Sequence, residues 1–174
     1  MVALSIRDRR RPDSKMSDEP IDLDIKYHVH SSPDDTLRFQ QAANWILNRF
    51  DLARLTVSIS IVDDSTIHEL NRTHLNHDWP TDVISFVFEQ DDQCVDGEVI
   101  ASMDTAKRLC DKAGWRCEDE LLLYVVHGLL HLAGLDDVDD RRRQEMRVEE
   151  QACLMDLGVD GAEHHLDRWK DVSY

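Results

Sequence analysis

Residues 121–132 form an almost wholly apolar run, LLLYVVHGLLHL, that nevertheless carries two histidines, His127 and His131. The pattern predicts a buried helix over residues 118–133, and a ring nitrogen buried in such a helix costs stability unless it finds a partner. Positions four apart share one helix face, so both imidazoles can reach a single ion at about 2.0–2.1 Å. Three residues after His131, Gly134 can adopt the left-handed conformation that ends a helix and turns the chain back. Asp137 then approaches from another direction. His127, His131 and Asp137 are therefore the expected metal ligands, with a fourth position left open for water, the arrangement of a catalytic zinc site. A structural pair of satisfied histidines is the alternative explanation.

The 174 residues suffice for one domain with its own core. Cys94, Cys110, Cys117 and Cys153 have no CxxC spacing and are read as reduced thiols. No run of 18 apolar residues occurs and the N-terminal segment lacks a signal-peptide apolar region, so a soluble cytoplasmic protein with no membrane partner is expected. Acidic residues outnumber basic ones 36 to 20, giving a net charge of −16, which taken alone argues against a nucleic-acid partner. Arg141, Arg142 and Arg143 form a compact basic block, read as a solvated helix face with a local basic patch as the alternative.

Residues 1–20 read as a mobile tail with a basic segment at Arg9, Arg10 and Arg11. Ile21, Leu23, Ile25 and Tyr27 alternate with polar residues as a half-buried strand does, and a helix opens near Pro33 and runs to Arg49. Leu55, Val57, Ile59 and Ile61 give a second strand, followed by a short helix through Leu70 and Leu75. Residues 83–88 and 97–101 supply two more strands, separated by an acidic loop over 90–96. Helices are expected over 102–113 and 139–157, with Gly114 and Gly158 as stops. Residues 159–174, including His164, His165 and Trp169, read as a loosely attached tail. The sum is a single α+β domain over residues 21–158, a mixed sheet of about four strands with the histidine helix across one face.

Two segments together resemble the YbeY family of bacterial metal-dependent endoribonucleases. HGLLHLAGLDD is similar to the family's HGxLHLxGxDH, and LNRTHLNHDWPTDVISF, from Leu70 to Phe86, is similar to LNxxYRxxDxxTDVLSF. Order and separation also match, so the resemblance covers about residues 21–158. It implies a single-strand-specific, zinc-dependent endoribonuclease with one ion, acting in ribosomal RNA processing and ribosome maturation, with ribosomal RNA and ribosomal proteins or assembly factors as partners. RNA is expected across residues 83–88, with Ser85 as a phosphate contact.

Two positions depart from the family pattern. The third histidine ligand falls on Asp137, whose negative charge should make a bound water less acidic. The arginine falls on Leu75, removing a natural phosphate clamp, for which His74 or His77 could substitute. The proton acceptor is unassigned among Asp78, Asp82, Glu98 and Asp136. Loss of the arginine and the acidic balance favour the alternative of a catalytically weak, metal-binding assembly factor that binds basic partners. The spacing also matches the metzincin proteases, but Gly128 occupies the place of their catalytic glutamate. A filled structural site would need a further ligand such as His77 or His165.

Overall fold

Alternation in the strands decides which side of the sheet each residue faces, and the computed structural model, which describes residues 4–5, 19–29 and 35–169, shows both sides covered. In chain order the elements are β1 (Leu4–Ser5), β2 (Ile21–Tyr27), α1 (Thr36–Arg49), β3 (Arg54–Val62), α2 (Asp64–Leu75), β4 (Val83–Gln90) and β5 (Cys94–Ser102). There follow α3 (Met103–Ala113), α4 (Cys117–Leu132), α5 (Asp140–Asp156) and a 3-10 helix, Ala162–Trp169. The sheet order is β1-β4-β5-β3-β2. β4 and β5 pair antiparallel, and the other neighbours are parallel, so the sheet is mixed as expected.

Leu55, Val57, Ile59 and Ile61 of β3 point to the face that α1 and α4 cover and are completely buried. The opposite face carries Ile84 and Phe86 of β4 and Ile100 of β5, packed against Ile67 and Leu70 of α2. α4 lies across the first face, touching β4, β5, α1, α3 and α5. A helix enclosed on every side must be apolar almost all round, which accounts for the run that the sequence displays.

Side-chain caps set several helix starts. Asp63 accepts from the Thr66 amide at 2.8 Å, Ser102 from Thr105 at 3.1 Å and Asp139 from Arg142 at 2.9 Å. Gly114, at φ +70°, ends α3.

Several expectations are corrected. β4 and β5 extend to Gln90 and from Cys94, so the acidic loop shrinks to a turn in which Asp91 accepts the Gln93 and Cys94 amides. Leu4–Ser5, within the expected N-terminal tail, pairs with Phe86 and Val87, while the Arg9–Arg11 segment lies outside the described residues. Cys110 and Cys117 form a disulfide instead of staying reduced, because the tight α3–α4 turn brings their Cα atoms to 4.9 Å.

The C-terminal segment is not loose over its described part. His165 is 0% exposed, and Arg168 donates to both carboxylate oxygens of buried Glu120 while its guanidinium covers the Trp115 ring. Among the described residues no helix is long and apolar enough to cross a membrane.

Candidate metal centre

α4 ends in a way that builds half of the site. The Leu135 amide donates to the Leu130 carbonyl at 3.0 Å, and the Gly134 amide to the His131 carbonyl at 3.0 Å. This is the Schellman pattern, and it requires the left-handed Gly134, at φ +97°. Closing the helix this way turns the Leu135 carbonyl back toward it, where it accepts from His131 Nδ1 at 3.0 Å. One turn earlier, His127 Nδ1 donates to Glu150 Oε1 on α5 at 2.6 Å.

Those two contacts fix the ring tautomers. A carbonyl oxygen can only accept, and so can an ionised carboxylate. Burial raises the Glu150 pKa, but the hydrogen bonds and charges of His127 and His165 outweigh it and hold the group at about 2. Both Nδ1 atoms therefore carry the proton, and in the neutral rings both Nε2 atoms are bare.

The bare nitrogens converge. His127 Nε2 and His131 Nε2 stand 3.0 Å apart, and the Asp137 carboxylate oxygens lie 4.0 Å and 3.9 Å from them. A tetrahedral ion with bonds of about 2.0–2.2 Å separates its ligand atoms by roughly 3.3–3.6 Å, a range these three distances bracket. Two lone pairs and a carboxylate facing one point repel each other unless a proton or a metal cation lies between them. The three residues brought together are the three expected from the sequence, and the group could hold a metal ion.

Electrostatics separates the two rings. Burial lowers the His127 pKa, yet Glu150, Asp82 and Asp137 together raise it above the ordinary histidine value. His131, 3% exposed, is pushed down by burial and by the neighbouring His127.

Glu150 was not anticipated, and His165 was named only as a further ligand of a filled structural site. Glu150 is 3% exposed and accepts from both His127 and His165, the latter at 2.6 Å. Its signal was present in α5, where Met146, Glu150, Cys153 and Leu154 follow the helical period and form the buried stripe. A carboxylate on that stripe needs buried donors. Replacing Glu150 with glutamine leaves one oxygen for two N–H donors and turns an amide NH2 toward the other ring. We expect zinc affinity to fall about 10- to 100-fold in a competitive chelator titration. Unchanged affinity would show that Glu150 does not support the ligand.

Other expected residues fall elsewhere. Ser85 is 1% exposed beneath α4 and donates to the Gly128 carbonyl at 3.2 Å, so it is not a phosphate contact. β4 is buried from Val83 to Phe86, so RNA does not lie across that part of the strand. Glu98 shares the face of its β4 partner Phe86, opposite α4. Asp136 accepts from the Asp137 amide and from Arg142, a turn role. Exposed Asp78 pairs with His68. Only Asp82, just before β4, acts on His127 through its charge.

Leu75 ends α2, and its side chain is not among those described. His74 sets its edge against Phe86 and His77 stacks on Trp79, and neither belongs to the group that could hold a metal ion. His165 is likewise held by Glu150. Arg141, Arg142 and Arg143 each pair with carboxylates of the same turn or the preceding loop.

Fold and site together define a mixed-sheet α+β domain whose buried helix presents a His-His-Asp group able to hold a metal ion. Comparison with known proteins narrows this class: Endoribonuclease YbeY matches residues 24–158, and the chain belongs to that family. The Endoribonuclease YbeY of Rhodopirellula baltica is 44% identical over 109 residues, covering 62% of this chain and 56% of the relative. That of Desulfitobacterium hafniense is 34% identical over 153 residues, covering 79% of this chain and 98% of the relative. The solution structure of TM1509 from Thermotoga maritima has the same fold, with a TM-score of 0.56 at 22% identity over 87% of this chain and 97% of that one.

Proposed function

We propose that this protein is a zinc-dependent endoribonuclease that cleaves single-stranded ribosomal RNA during ribosome maturation in the cytoplasm. Family membership supports the reaction class. The observation that carries the metal dependence is the convergence of two bare Nε2 atoms and the Asp137 carboxylate within 4.8 Å. His127, His131 and Asp137 are the ligands in this reading. Two histidines and a carboxylate form a set known from catalytic zinc sites, although iron, nickel or cobalt would also accept it.

When bound, the ion supplies Lewis acidity toward a phosphodiester and lowers the pKa of water. The chain's own residues do the rest. Glu150 and the Leu135 carbonyl hold the two rings in the tautomer and orientation that aim Nε2 outward. Asp82 is the carboxylate whose charge reaches the site while its own side chain is steadied by Thr81 and the Val83 amide. It is therefore our assignment for the proton acceptor.

Removing the metal tests the reading. Chelator-treated protein is expected to lose cleavage of a single-stranded ribosomal RNA fragment and to regain it on adding one equivalent of zinc. Cleavage that persists without metal would overturn the mechanism. A protein that binds one zinc and never cleaves would support the assembly-factor alternative, in which ribosomal proteins or assembly factors are the partners.

A further inference from the structure

The loop between α2 and β4 presents an aromatic surface that the metal chemistry does not use. Trp79 is 57% exposed, the most open tryptophan among the described side chains. Its indole lies nearly parallel to the His77 ring, with centroids 4.7 Å apart and planes inclined by 12°. An indole exposed to this extent offers an apolar face for contact.

The loop that displays it is fixed in place. Buried Asn71 of α2 donates through Nδ2 to the Trp79 carbonyl at 2.7 Å and accepts the His77 amide at its own carbonyl. Trp79 therefore sits on a short anchored arch with its indole propped by an imidazole. Three residues further on is Asp82, whose charge acts on His127. Three extended residues span at most about 11 Å, so the Trp79 and Asp82 backbones lie within that distance of each other.

Charge indicates what the ring can receive. The net charge is −16, and Arg141, Arg142 and Arg143 are engaged by carboxylates. Phosphate attraction is correspondingly weak, and an RNA strand needs a contact that does not depend on charge. Base stacking on an aromatic ring is such a contact, available to any unpaired base and closed to bases inside a duplex.

We infer that Trp79, backed by His77, is the stacking platform for an unpaired nucleobase flanking the scissile phosphate. This rests on the ribonuclease reading and adds to it a substrate-positioning residue. The test uses the full-length zinc-loaded protein and a mixed-sequence single-stranded RNA oligonucleotide, with KM, kcat and Kd measured at two salt concentrations for wild type, Trp79→Ala and Trp79→Phe.

Trp79→Ala is expected to raise KM and Kd about 5- to 100-fold while kcat changes little, and Trp79→Phe to restore most of the loss. The salt dependence of Kd should be the same in all three proteins, because no charge is removed. Unchanged KM and Kd in Trp79→Ala would overturn the inference while leaving the ribonuclease reading intact, as would a phenylalanine variant no better than alanine. A wild-type protein that neither binds nor cleaves the oligonucleotide would overturn both.

Discussion

Replacing His131 with alanine is expected to eliminate zinc binding and RNA cleavage together, with the fold retained. Changes outside the ligand set typically weaken metal affinity by about 10- to 100-fold, and loss of a ligand nitrogen should exceed that. His131 is the better ligand to remove because its protonation is disfavoured: burial and the adjacent His127 hold it neutral, the state a metal requires. Zinc content by elemental analysis, cleavage rate and far-ultraviolet circular dichroism decide the matter. Full cleavage by a folded, zinc-free variant would falsify the proposed mechanism.

The second large effect is expected at Gly128, through steric contact. A Cβ at this position would lie 2.6 Å from Val99 Cγ1 and 3.0 Å from Ser85 Oγ, both on the sheet beneath α4. Glycine to alanine in a helix interior ordinarily gains about 0.8–1.0 kcal/mol, whereas forcing an extra carbon into a packed core costs about 1–3 kcal/mol. The contact wins because Val99 is fully buried and a β-branched side chain has little room to turn away. Gly128→Ala should therefore lower stability by up to about 2 kcal/mol in urea unfolding of the metal-free protein. Lifting α4 off the sheet also moves the two histidines relative to Asp137, so zinc affinity should fall. The double variant Gly128→Ala with Val99→Ala should recover part of the spacing defect and depart from additivity. A stabilised single variant would refute the close-packing account. The same contact explains why a glutamate cannot stand at 128: its side chain would be driven into Val99 and Ser85.

Much of the fold was legible because its signals are local. Strict alternation in β2 and β3, capping residues such as Asp63 and Asp139, and glycines at 114, 134 and 158 mark element ends without reference to distant residues. His127, His131 and Asp137 were legible for the same reason, since one helix and its turn bring all three to one point. What escaped depends on tertiary placement. Ser85 is the one polar residue in the VISFVF strand and so suggests a substrate contact, but its side chain points toward α4. Glu150 and His165 join the site only after α5 and the C-terminal 3-10 helix have docked. The Cys110–Cys117 bond depends on the angle of one turn, which a count of seven residues does not specify.

Leu135 has two jobs, one in each of the two peptide units that flank its Cα. Its amide closes α4, and its carbonyl steadies His131. The ordering of the ligand turn is thus tied to the backbone hydrogen bonding that any helix end demands, and folding accomplishes it before an ion is present. A metal meeting such a site does not have to gather floppy side chains. The entropy of assembling them has already been lost, so nearly all of the coordination energy would be available to set affinity. Preorganisation of this kind would favour slow loss of a bound metal.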